Sequence, residues 1–266
     1  MATVARPDGV EIHWEGQGRG PVVVIAHQLL WSYPQVYANL IRDLAADHLV
    51  VTYDPRGCGE SSQQGPYDAE TDAGDLLAVM ETVGGPAVAL AVGYGYNLAV
   101  RVAARRPDLI SALVTVQPAA AALLPRSELK DSGVLAASDS VIEMLMQMMS
   151  TDPRTALRTV LSATNPELDE DGLRERLDRV SEYIQAEAAQ ERAAAWIADD
   201  PSEHARALGD RLLIIHSEAE PLFEGALVAR VAELYPEARI EQLSGGPISR
   251  PDILAARIRR VTSAHP

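Results

Sequence analysis

One cysteine, one phenylalanine and a single lysine (Lys130) are found among 266 residues. The lone Cys58 excludes an intrachain disulfide framework and suits a reducing compartment, so a cytoplasmic location is expected. Positive charge is scarce too: 23 Lys and Arg face 38 Asp and Glu, for a formal charge of −15 and a pI near 4.8. That balance lacks the basic footprint a nucleic-acid partner requires and reads as a solubilising acidic shell. No apolar run approaches membrane-spanning length, and the amino-terminal residues show no apolar signal core, so no membrane partner is expected. The six histidines and one cysteine show no metal-ligand spacing, and no dinucleotide or phosphate fingerprint occurs, so neither metal nor cofactor is expected. Internal repeats and low-complexity linkers are also missing.

What is present is an alternation of strands and helices. A hairpin around Pro7-Asp8-Gly9 opens the chain. Continuous apolar runs at 21–27, 48–54, 87–92, 110–116 and 212–216 suit strands buried on both faces of a parallel sheet. The strand pattern continues at 239–243, and helical patterns at 34–46, 68–83, 96–106, 222–235 and 252–261 separate these runs. From 119 to about 207 the strand signal vanishes. Helical segments fill that interval, among them the methionine-rich run Met144-Leu-Met146-Gln-Met148-Met149 and a long charged helix over 171–197. The expectation is an α/β fold with a mostly parallel eight-stranded sheet, its core domain formed by 1–118 and 208–266, with a helical cap inserted at 119–207. The charged stretch 169–192 reads as a solvated helix face with i,i+4 pairs.

Three motifs carry chemistry. The apolar strand ending Val24-Ile-Ala-His27-Gln28-Leu29 is followed by Asp54-Pro-Arg56-Gly57-Cys58-Gly59-Glu60-Ser61 and then by Ala91-Val92-Gly93-Tyr94-Gly95. In this order and spacing they resemble the α/β-hydrolase superfamily over essentially the whole chain. The first is similar to the His-Gly-x strand end, the second to D-x-R-G-x-G-x-S, and the third to the nucleophile elbow G-x-S-x-G. The resemblance puts a glycine where the nucleophilic serine belongs. Gly93 fits the register better than Gly95, because its strand then has the expected length and Pro107 falls fourteen residues on. The resemblance also places the triad acid at Glu220, in Ser217-Glu-Ala-Glu220. The triad histidine would lie in the loop Ser244-Gly-Gly-Pro247-Ile248-Ser, which has none, and no histidine occurs between His216 and His265. A similar glycine-for-serine elbow occurs in the N-myc downstream-regulated family.

Acyl transfer through a serine needs a hydroxyl to attack and an imidazole to accept its proton. Glycine, proline and isoleucine supply neither. By the resemblance, the backbone N–H groups of Leu29 and Tyr94 still occupy the oxyanion-hole positions, where side-chain changes do not remove them. Glu220 and His27 are the candidate acid and base; Gln28, Tyr33, Tyr37, Gln117, Met144 and Met148 are the candidate pocket residues. Each has a plainer role open to it. His27 could brace the oxyanion loop, Glu220 could cap the following helix, Asp54 and Arg56 could brace their loop, and Cys58 could be a small filler. Three functions fit: a non-hydrolytic lyase, cyclase, isomerase or decarboxylase; a catalytically inactive ligand-binding pseudoenzyme; or a residual esterase with another nucleophile. In each the expected partner is a small, apolar, carbonyl-containing molecule, and oligomerisation stays open.

Overall fold

The computed structural model describes residues 2–26, 33–118, 120–129, 144, 147–148, 151–164, 168–217, 226–244 and 250–265. Its strands are β1 Ala2–Ala5, β2 Glu11–Gly18, β3 Val22–Ala26, β4 Leu49–Tyr53, β5 Ala87–Val92, β6 Ile110–Val116, β7 Leu212–Ser217 and β8 Arg239–Leu243. Its helices are α1 Ala38–Leu44, α2 Ala69–Val83, α3 Gly95–Arg105, α4 Ala120–Leu123, α5 Arg126–Leu129, α6 Pro153–Thr164, α7 Glu170–Tyr183, α8 Ala186–Ala198, α9 Ser202–Ala205, α10 Ala226–Leu234 and α11 Pro251–Ala264.

The strands form one sheet in the order β1-β2-β4-β3-β5-β6-β7-β8. β2 pairs antiparallel with β1 and β4, and every other pairing is parallel. The apolar runs explain this arrangement. All six residues of β5 are buried, as a parallel strand covered on both faces requires. On one face Leu40 and Leu44 of α1, with Leu254 and Ile258 of α11, pack on Val23, Ile25, Val88 and Val114. On the other, Leu76 and Val79 of α2, Leu98 and Val102 of α3 and Val231 of α10 pack on Val24, Val51, Ala89 and Leu113. Helix α2 starts where Asp68 accepts a hydrogen bond from the Thr71 amide at 2.8 Å and stops at Gly84, φ 79°.

Between β6 and β7 every described element is helical. The long helix expected over 171–197 is two helices, α7 and α8, broken at Ile184-Gln185. The cause is a long-range pairing. Ile184 bridges Cys58, the Gly59 amide donates to the Tyr183 carbonyl at 2.9 Å, and the Gln185 amide donates to the Gly57 carbonyl at 3.1 Å. These bonds override a local sequence that would otherwise continue the helix. Beneath them Leu161, Leu173, Leu177 and Val180 form a third apolar cluster with Tyr33 and Cys58. Helix α7 does carry solvated ion pairs, Arg174 with Asp171 and Arg179 with Glu175. No helix among the described residues is long and apolar enough to cross a membrane.

Candidate active site

The turn between β5 and α3 is tight. The Gly93 amide donates to the Val116 carbonyl at 3.1 Å, and the Gly93 carbonyl accepts from the Tyr96 amide at 3.1 Å. Gly93 itself has φ 52°. A residue with a Cβ is strained there by about 1–2 kcal/mol, whereas glycine is not. Gly95 is glycine for a different reason: a Cβ at that position would strike the carbonyl oxygen of Ala26 on β3. The first glycine forms the apex of the turn, and the second lets α3 begin against the neighbouring strand. Gly93 is partly exposed, whereas Tyr94 is fully buried with its ring 5.9 Å from that of Trp196 on α8.

The register places one further candidate beside Gly93. Val92 pairs with Val116, so Gln117 lies next to Gly93 on the adjacent strand end. Gln117 is partly exposed and has φ 51°, and its amide donates to the Ile215 carbonyl at 2.8 Å. The other expected residues that are described lie as follows. Tyr33 packs in the third apolar cluster, its ring 6.3 Å from that of Tyr183. Tyr37 lies within the core under α1 and α11, a fully buried packing residue. Met144 is 51% exposed and Met148 partly buried. His27, Gln28, Leu29, Glu220, Pro247 and Ile248 lie outside the described residues.

Under the elbow runs a network of buried charges. Arg56 grips Asp75 through two hydrogen bonds of 2.7 and 2.8 Å and reaches Asp8 at 3.0 Å. Arg192, on α8, grips Asp72 at 2.7 and 2.8 Å, donates to the Arg56 carbonyl at 2.6 Å, and lies 5.3 Å from the Tyr67 ring centroid. Arg101 of α3 pairs with Asp199, which also accepts from Asn97 at 2.7 Å. Asp54 accepts from Tyr183 at 2.8 Å and the Glu60 amide at 3.0 Å, and pairs with His13 at 3.0 Å. Asp54 and Arg56 thus brace their loop, and Cys58 fills a sealed space with its thiol pushed up to about 12 by burial. Burial likewise raises the Asp72 carboxyl above the usual carboxylate range, while the ion pair with Asp72 raises Arg192 against its own desolvation. The Tyr94 hydroxyl is raised first by burial and then by the fields of Asp72 and Asp199, against Arg101 and Arg192. Arg192 is the exception to the solvated-face expectation, being fully buried. A signal for its partner was present: Asp72 and Asp75 share the helical face that carries Leu76 and Val79.

An eight-stranded sheet in this order, with a sharp strand–turn–helix after β5 and helices inserted after β6, defines a hydrolase-type α/β scaffold. Residues 21–239 match the family model described as alpha/beta hydrolase fold, and the chain belongs to that family. Similar solved structures include an enol-lactonase from Burkholderia xenovorans LB400, 22% identical over 96% of each chain with a TM-score of 0.75. An E-2-(acetamidomethylene)succinate hydrolase is 19% identical over 98% of each chain, TM-score 0.76. A bromoperoxidase from Bacillus anthracis is 19% identical, covering 99% of this chain and 98% of its own, TM-score 0.78. Identities this low establish a shared fold.

Proposed function

We propose that this protein handles a small carbonyl compound at the elbow without serine chemistry, as a lyase, cyclase, isomerase or decarboxylase working non-covalently. The observation that carries the reading is Gly93: it is the apex of the turn after β5, at φ 52°, and has no side chain to attack with. The absence of any histidine between His216 and His265 removes the matching base. In this reading the amides of Leu29 and Tyr94 polarise the ligand's carbonyl, and Glu220 and His27 move its proton. The lactone named for the Burkholderia relative is one such carbonyl compound. The buried packing of Tyr94 on Trp196 favours a second reading, in which the ligand is bound and not turned over. A fluorophosphonate probe followed by intact-mass measurement tests the shared premise. No adduct is expected, and a stoichiometric adduct would overturn the loss of the nucleophile.

A further inference from the structure

We propose that Gln117 is the side chain that recognises the ligand in the emptied site, and that the ligand group it takes is a neutral carbonyl (lactone, ester or amide) rather than a carboxylate or phosphate. This rests on the reading of Gly93 as the centre of a binding site. Three observations point to Gln117. The β5–β6 register, in which Val92 pairs with Val116, puts it at the strand end next to Gly93. Its backbone adopts φ 51°, the one left-handed non-glycine residue among the described residues. The following Pro118 pushes it instead towards extended backbone, so the conformation is disfavoured twice. Such conformations persist only where the surroundings over-determine them, and the bond to Ile215 on β7 is one such constraint. Lastly, the residue is only partly exposed, yet its side-chain amide makes no hydrogen bond among the described residues. An amide set at the carboxyl edge of the sheet has a donor and an acceptor to offer a ligand.

The neutral charge of the ligand follows from the surroundings. The arginines whose fields reach the Tyr94 hydroxyl, Arg101 and Arg192, are each bound by a buried carboxylate, Asp199 and Asp72. Arg56 is saturated by Asp75 and Asp8. Among the described residues these guanidiniums are already matched by carboxylates, which leaves an anion at Gly93 no unmatched arginine among them to offset its desolvation. A neutral carbonyl needs only hydrogen bonds, which an amide supplies.

Cysteine scanning tests the proposal without knowing the natural ligand. Cys58, sealed and raised to about 12, provides a silent background thiol. Gln117→Cys and Gly93→Cys are each alkylated with monobromobimane at pH 8, and the double variant is treated with dibromobimane, which fluoresces when it bridges two thiols. Both single variants are expected to react at least tenfold faster than the parent protein, and the double variant to be bridged. A reactive Gly93→Cys beside an inert Gln117→Cys would overturn the role of Gln117 and leave the site intact. If both thiols are inert, the site itself falls, and the proposal with it. δ-Valerolactam, an unreactive carbonyl with its own N–H, is expected to slow alkylation of Gly93→Cys, in which Gln117 is intact, at least threefold, an effect that Gln117→Leu in the same background should abolish, and acetate or inorganic phosphate at equal concentration to leave it unchanged. Protection by either anion, or none by the lactam, would overturn the assignment of a neutral carbonyl.

Discussion

Replacing Arg192 with leucine leaves Asp72 as a buried carboxylate without its counterion. Both side chains are sealed, with relative exposures of 0% and 1%. The pair is joined by two hydrogen bonds of 2.7 and 2.8 Å. Breaking such a pair from one side costs about 3–5 kcal/mol. The escape route gives a similar figure. An aspartate carboxyl ordinarily titrates at 3.8, so protonating it at pH 7 costs about 4 kcal/mol, at 1.36 kcal/mol per unit. At pH 5 the same step costs only about 2 kcal/mol. The deficit of Arg192→Leu should therefore shrink as the pH falls, because the folded variant keeps a proton on Asp72 that the unfolded chain loses. Urea unfolding followed by circular dichroism at pH 7 and pH 5 measures both values. The double variant Asp72→Leu/Arg192→Leu should recover most of the loss, since no charge is then stranded. A deficit below about 1 kcal/mol at pH 7, or one that is equal at the two pH values, would refute the reasoning.

Two further outcomes can be checked. Gly95→Ala must push a methyl group into the Ala26 carbonyl and should cost more than about 3 kcal/mol or abolish folding. Gly84→Ala, at φ 79° and ψ 150° with nothing within 4 Å, carries only backbone strain of about 1–3 kcal/mol, so equal melting temperatures for the two variants would refute the steric argument. Asp47 is held at about 2, chiefly by Arg259 and then by His48. Its depressed carboxyl contributes stability above about pH 4 that is lost as the pH falls towards 2. The side chains are half-exposed, so the contribution is about 0.2–1 kcal/mol. NMR titration should show the Asp47 carboxyl moving towards its ordinary value in Arg259→Ala; no movement would dismiss the pair.

The sheet was legible because its signals are local. The apolar run 87–92 gives β5 to the residue, and Asp68 and Gly84 mark the two ends of α2. The elbow was legible as a stretch, but the separate duties of its two glycines were not. Only φ at Gly93 and the nearness of the Ala26 carbonyl to Gly95 distinguish them. The break between α7 and α8 is invisible locally because its cause lies in the loop 57–59, more than 120 residues away. Arg192 was hidden in the same way: a charged residue in a charged stretch gives no sign that it is buried against a carboxylate on α2. Gln117 goes against its own sequence signal, since a residue preceding proline is expected to be extended.

The pairing of Arg192 with Asp72 also constrains how the protein is made. The two residues are 120 positions apart. At about 5–20 residues per second of synthesis, Arg192 is added roughly 6–24 s after Asp72. Throughout that interval α2 has the apolar face that would dock it on the sheet, but Asp72 on that face lacks the guanidinium that hydrogen-bonds it in the folded protein. It can leave the carboxylate in water or bury it protonated. Neither state is the final one, so the α2 face reaches its final packing only once Arg192 on α8 has been made.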